Sequence, residues 1–292
     1  MPAGGRPTVR SRRLGNAMRR YRETAGLDQP DAAEAITKSV SKISRLESGH
    51  TSASGLEVRT LLDLYGVEDP AERTKLLEWA RKSNERGWWI DYQAAIQPGH
   101  VDHIALENEA TCIRAWEPVL VPGLLQTPEY TEAVITVGPR SVPPEEVVEL
   151  TKLRQERQRQ IEAGGASFTA IIWEPALTAL HSQPRVNVGQ LTHLLEVGRR
   201  QNITIQILPA SASLIAGMSS GFAAFSFGEE AIVEAVTLDT PAHANVVEAP
   251  EDLARYVNVF DQLRSAALPP DNSAERIREL LEDGMPYEEV KA

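Results

Sequence analysis

The chain has 292 residues, 42% of them hydrophobic and 24% charged, with a net charge of −11. That length allows one large domain or two, and the composition is that of a globular protein rather than a fibrous or disordered one. A single cysteine, Cys112, excludes an intrachain disulfide, and no apolar run approaches the ~20 residues of a bilayer span, so a cytoplasmic protein is expected.

The acidity is unevenly spread. Residues 1–86 hold 16 Lys/Arg against 12 Asp/Glu, whereas residues 87–292 hold 14 against 29. Near the start, Arg6, Arg10, Arg12, Arg13, Arg19, Arg20 and Arg22 face only Glu23 before Leu27. With a Debye length of about 8 Å at physiological salt, distant acidic groups are screened, and the local excess decides contact with an anion. The opening MPAGGRPTVRSRRLG has no hydrophobic segment behind it, so no secretory signal is expected.

Residues 1–12 read as a basic flexible arm. From Arg13 to Ala25, Leu14, Met18, Tyr21 and Ala25 recur at helical spacing, and Gly26 is a left-handed stop. Asp28 before Gln29-Pro30-Asp31 marks the next helix start, and Ser39 caps a third helix with Ile43 and Leu46 inward. Gly49 closes it. In GLEVRTLLDLYGV, Leu56, Leu61, Leu62 and Leu64 mark another packed helix.

The stretch LDQPDAAEAITKSVSKISRLESG resembles the helix-turn-helix core of the Xre/phage-repressor family without a gap, through Leu27, Gln29, Ala33, Ile36, Ser39, Ile43, Leu46, Glu47 and Gly49. Two positions depart: Thr37 stands at the turn where glycine is common, and Ala32 where a large apolar residue is usual. The resemblance implies a helix lying in the major groove, with Val40, Ser41, Ser44 and Arg45 toward base edges. Arg45 is the candidate for a guanine contact and Val40 for a thymine methyl. Gln29, Lys42 and His50 are expected at phosphates, while Arg10, Arg12 and Arg13 follow the backbone or enter the minor groove. Arg22 and Glu47 match a pair that ties the first helix to the recognition helix. A plainer reading stands beside these: Lys42 and Ser44 as a solvated helix face, the arginine tail as nonspecific, the motif as a protein-binding module.

Residues 13–68 are thus read as the helix-turn-helix domain and 69–103 as a helical, aromatic linker. Within that linker DPAERTKLLEWARKSNERGWWIDY is amphipathic, Trp88, Trp89 and Tyr92 are read as packing between regions, and QPGHVDH as a connection. Residues 104–284 read as a mixed domain and 285–292 as a tail. HIALENEATCIRAWEP is helical and then extended; SFTAIIWE, NITIQILP, GFAAFSF and AIVEAVTLD are strands by their composition, the last two joined through GEE. Helices are expected in EEVVELTKLRQERQRQIEAG, VNVGQLTHLLEVGRR, PEDLARYVNVFDQLRSAAL and SAERIRELLED. The fold class is α+β: an all-α helix-turn-helix bundle, then a small sheet of about four strands covered by helices.

LENEATCIRAWEPVLVPGLLQTPEY, LRQERQ, NITIQILP, GFAAFSF, YVNVFDQLRSAAL and SAERI resemble the C-terminal domain of the WhiJ-like regulators of actinobacteria, VPGLLQT most specifically. With the helix-turn-helix, the likeness runs from about residue 13 to 283. It implies a DNA-binding transcriptional regulator, often described as antitoxin-like and often encoded beside a small partner protein.

Catalytic groupings are sparse. His100 and His103, with Asp102 between them, have no cysteine or carboxylate at zinc spacing and read as a polar linker. Cys112 reads as a small buried hydrophobe. GMSSGF lacks the Walker lysine and the G-x-S-x-G elbow. Arg154, Arg157 and Arg159 are read as local ion pairs with Glu149, Glu156 and Glu162, or as a binder of an acidic ligand or partner. The expectation is a non-enzymatic regulator without cofactor or metal. It would bind a pseudo-palindromic double-stranded operator as a homodimer, with a small partner protein or a signal on its C-terminal domain. The alternative is an antitoxin-like protein-binding adaptor whose DNA binding is only autoregulatory.

Overall fold

The computed structural model of the chain describes residues 9–84, 87–92, 96, 98–138, 142–179, 182–227, 231–239 and 244–284. Two units divide inside a 3-10 turn, Trp88–Tyr92: residues 1–90 and 91–292. In the first lie α1 (Val9–Thr24), α2 (Gln29–Ala35), α3 (Val40–Glu47), α4 (Gly55–Leu64) and α5 (Pro70–Asn84). Their apolar stripes converge on Leu14, Met18, Ala32, Ile43, Leu46, Val58, Leu61, Leu62, Leu76 and Ala80, all at most 2% exposed.

Three expectations for this unit are corrected. Residues 9–12 form the first turn of α1 rather than an arm; residues 1–8 lie outside the described residues. α5 is no linker, since Leu76 and Ala80 complete the core against α1 and α4. Leu56 is 75% exposed and Leu64 37%, so the buried face of α4 is Val58, Leu61 and Leu62. Leu56 and Leu62 stand six positions apart, more than a turn and a half, and so fall on different faces.

In the second unit come α6 (Pro98–Glu109), β1 (Cys112–Glu117), α7 (Pro128–Val137), α8 (Pro144–Gln158), β2 (Ser167–Trp173), α9 (Pro184–Val197), β3 (Ile203–Leu208), the short α10 (Ser213–Ala216), β4 (Phe222–Ser226), β5 (Ala235–Asp239), β6 (Ala244–Val247), α11 (Pro250–Ala266) and α12 (Pro270–Gly284). The sheet has six strands in the order β3-β2-β1-β4-β5-β6, against the four expected. The extended stretch CIRAWE pairs on both sides as β1, and the four-residue β6 is too short to signal itself. QPGHVDH is corrected too: Pro98 begins a helix there, Pro at its first position supplying the start. The GEE connection lies outside the described residues.

β1, β2 and β3 run parallel, joined by helical crossovers, while β1, β4, β5 and β6 are antiparallel. Parallel strands covered on both faces read as unbroken apolar runs, as β2 does with Phe168, Ala170, Ile171 and Ile172 all buried. On one face Trp116, Ile171, Phe222, Ala224 and Val236 pack with Phe260 and Leu263 of α11. Side chains alternate along a strand, so Ile113, Ala115 and Glu117 of β1 look to the other face. There α6 and α8 pack against each other. Among the described residues, no helix is long and apolar enough to cross a membrane.

Candidate nucleic-acid interface

Two local devices set the turn between α2 and α3. Asp28 caps α2 reciprocally with Asp31: Asp31 N–H donates to Asp28 Oδ1 (2.9 Å) and Asp28 N–H to Asp31 Oδ2 (2.8 Å). At its other end Thr37 N–H donates to the Glu34 carbonyl (3.0 Å) and Lys38 N–H to the Ala33 carbonyl (2.9 Å), a Schellman stop. That stop needs a left-handed residue, and Thr37 adopts φ 54° to supply it. The same motif closes α1 at Gly26 and α4 at Gly66, where glycine does so without strain. Two residues later Ser39 caps α3, its Oγ accepting from Lys42 N–H at 3.3 Å.

α3 is two-faced. Ile43, Leu46 and Glu47 are buried, while Val40, Ser41, Ser44 and Arg45 stand exposed together on the opposite face. The Arg45 guanidinium has no hydrogen bond or ion pair among the described residues. Its fork is free to meet an external acceptor pair.

Behind that face, Arg22 Nε donates to Glu47 Oε1 (2.6 Å) and Nη2 to Oε2 (3.0 Å), while Nη1 reaches the Leu27 carbonyl at 2.8 Å. Gln29 Nε2 also donates to Glu47 Oε2 (2.9 Å), so one carboxylate joins α1, α2 and α3. The hydrogen bond to Glu47 raises the Arg22 pKa further above its ordinary value. A Cβ at Gly15 would sit 2.3 Å from the Leu46 carbonyl oxygen and 2.6 Å from that of Glu47, so α1 and α3 cross backbone to backbone.

The residues expected at phosphates divide. Lys42 Nζ donates to the Ser52 carbonyl (2.6 Å) and Thr51 Oγ1 (3.3 Å), which anchors the loop after α3, and Gln29 is held by Glu47. Arg13 stacks over Trp79, 4.5 Å from the ring centre. His50 is exposed beside α3, its Nδ1 3.0 Å from Ser48 Oγ. Arg12 lies half-buried at the start of α1, where its backbone abuts Gly49; the Arg10 side chain lies outside the described residues.

In the second unit the polar residues noted in the sequence converge from distant elements. Arg157 pairs through both nitrogens with Glu107, fifty positions away (Nε–Oε1 2.8 Å, Nη2–Oε2 2.9 Å), and Nη2 lies 3.0 Å from His103 Nε2. His103 Nδ1 lies 2.8 Å from Thr237 Oγ1, and His100 Nε2 3.0 Å from Asp239 Oδ2. These histidines therefore belong to a helix–sheet contact rather than a polar linker. Arg159 does pair locally with Glu156, whereas Arg154 donates to Gln126 Oε1. Burial works to raise the Glu107 pKa, but the Arg157 charge and hydrogen bonds outweigh it and hold the carboxyl at about 2. Burial and then the charge of Asp239 push Glu117 up to about 7. Burial followed by the Arg157 charge brings Arg154 down to about 10. These groups line a cavity of about 500 Å³ that nothing in the sequence places, because its walls come from helices, strands and loops far apart in the chain. Cys112 is half-buried at the start of β1, and GMSSGF leads into β4 with the Ser219 carbonyl accepting from Trp116 Nε1 at 3.2 Å.

Two family models match. One described as a domain of unknown function (DUF5753) covers residues 101–279, more than half of the chain, and one described as a helix-turn-helix domain covers residues 13–76. No curated protein and no solved structure matches the chain significantly.

Proposed function

The chain belongs to the family of the domain of unknown function DUF5753, with a helix-turn-helix domain ahead of it, and on that premise we propose a sequence-specific DNA-binding transcriptional regulator. The observation that supports this reading best is α3 itself: an exposed Val40, Ser41, Ser44 and Arg45 on a short helix whose other face is fixed by buried apolar residues and the Arg22–Glu47 pair. Such a helix fits a major groove, and a free guanidinium pairs with guanine O6 and N7 together. The second unit is assigned the binding of a signal or a partner protein, and neither unit is assigned catalysis.

The finer placement, an Xre-type helix-turn-helix in a WhiJ-like actinobacterial regulator, rests on the sequence resemblance. Two copies would set their recognition helices about 34–36 Å apart on a pseudo-palindromic operator. Genome-wide mapping followed by anisotropy titrations on a mapped site and its scrambled version tests the reading. The mapped site should bind far more tightly at moderate salt, and Arg45→Ala should lose about 1–3 kcal/mol on it while leaving scrambled duplex unchanged. Equal affinity for both duplexes overturns the proposal. A partner retained stoichiometrically after nuclease treatment, with no sequence preference, would instead mark the protein-binding adaptor.

A further inference from the structure

The cavity of the second unit lies on the sheet face opposite α11, floored by Ile113, Ala115 and Phe168 and rimmed by α6, α8 and the VPGLLQT loop. Its charges are unevenly settled. Glu107 is matched by Arg157, and Asp239 by His100. Two groups of opposite sign remain. Arg154 has Gln126 as its side-chain hydrogen-bond partner and no carboxylate within ion-pair distance, and the Glu117 carboxylate has neither a hydrogen bond nor an ion pair, among the described residues. They share one cavity without meeting each other. Half-buried charges of opposite sign normally collapse into a pair, because each left alone forfeits solvation without recompense.

The walls hold them apart. The loop Val121–Thr127 is fixed by four side chains: Gln126 Nε2 donates to the Val121 carbonyl (2.7 Å), Tyr130 Oη accepts from Val121 N–H (3.2 Å), Gln190 Oε1 accepts from Thr127 N–H (2.8 Å), and Gln158 Nε2 donates to the Gln126 carbonyl (2.6 Å). Gly123 of that loop lies over Arg154, with a Cβ position 3.7 Å from Nε. At the other end Gly221 stands against Glu117, with a Cβ position 3.1 Å from Oε2. The site is preformed, and its volume of about 500 Å³ falls within the range of small-molecule sites.

We propose that this cavity binds a small zwitterion with an apolar body, such as an amino acid or dipeptide, its carboxylate on Arg154 and its ammonium at Glu117. The fork of Arg154 matches a carboxylate, and the apolar floor matches a compact side chain. A dianion such as phosphate fits worse, since the cavity offers one unmatched cation beside Glu117 and Asp239. A simple amine would leave Arg154 unmatched. The raised pKa of Glu117 reflects the same imbalance, which a bound ammonium relieves. This inference deepens the signal-binding part of the proposed function and rests on it.

The test uses the full chain without DNA, so its outcome is separate from sequence reading. Ligand-observed NMR and calorimetry would screen the twenty protein amino acids and the dipeptides Ala-Ala, Leu-Gly and Phe-Gly. Each is compared with its N-acetyl form, which lacks the ammonium, and its amide, which lacks the carboxylate. At least one zwitterion should saturate the protein with Kd below about 1 mM and bind about tenfold or more better than either blocked form. Arg154→Met should abolish that binding, and Glu117→Gln should erase the disadvantage of the N-acetyl form. The idea is overturned if no zwitterion outbinds its blocked forms, or if Arg154→Met binds like the parent. Should Arg154→Met fail to fold, the near-isosteric Glu117→Gln decides: unchanged discrimination against the N-acetyl form overturns the assignment.

Discussion

Arg22 and Glu47 face each other as a buried pair, Nε to Oε1 at 2.6 Å with side chains 9% and 4% exposed, and join α1 to the last turn of α3. Because Gln29 shares the same carboxylate, removing Glu47 deprives one buried cation of its bidentate partner and one amide of its acceptor together. Glu47→Ala is therefore expected to lose about 3–5 kcal/mol of stability, whereas Arg22→Met combined with Glu47→Leu should recover much of it. Urea titrations of Glu47→Ala and the double variant check this, and a double variant less stable than Glu47→Ala would show that the pair is not the coupling.

Gly15→Ala sets two effects against each other. Alanine favours a helix over glycine by about 1 kcal/mol. The new methyl would press on the carbonyls of Leu46 and Glu47 at 2.3 and 2.6 Å, and neither is the free end of a side chain. The clash wins, with an expected net loss of about 2–4 kcal/mol in denaturant titration and weakened DNA binding through a displaced α3.

At Thr37 the balance runs the other way. A β-branched residue at φ 54° incurs roughly 1–2 kcal/mol of strain, while glycine adds about 0.5–1 kcal/mol of unfolded-state entropy. Thr37→Gly should stabilise the helix-turn-helix unit by about 0.5–1 kcal/mol. The denaturation midpoint rises if so, with the exposed face of α3 unchanged.

Glu117 makes stability depend on pH. Its folded pKa of about 7 stands above the ordinary 4.5, so the protonated carboxyl contributes stability fully present below 4.5 and lost as pH rises through about 7. Glu117→Gln stays neutral throughout. It should exceed the parent by up to about 3 kcal/mol at about pH 8, with the gap closing toward about pH 5, as read from paired urea midpoints. A gap independent of pH would remove Glu117 as its source.

Much of the first unit was legible because its signals are local. Asp28 and Ser39 cap helices by accepting from N–H groups three residues ahead of them, Gly26 and Gly49 stop helices in place, and Ile43 with Leu46 declares the buried face of α3. Thr37 was conspicuous as a departure from glycine, and its positive φ shows what that position demands. What Lys42, Gln29 and Arg13 touch was not legible. A polar side chain at a helix start reads alike whether it points to water, a phosphate or the next loop, and here Ser52, Glu47 and Trp79 claim them.

In the second unit the sequence by itself determined the core strands, whose β-branched and aromatic residues announce them, and the amphipathic α11. It could not determine β6, whose four residues acquire meaning only beside β5. Nor could it assemble the cavity. Arg157 meets Glu107 across fifty positions and His100 meets Asp239 across 139, and Glu117 faces them because alternation along β1 turns it away from α11. Capping, turn geometry and periodicity act within a few residues and are written in the chain. Which charges are matched and which are left open is decided by long-range packing, since that alone determines what displaces water from each group.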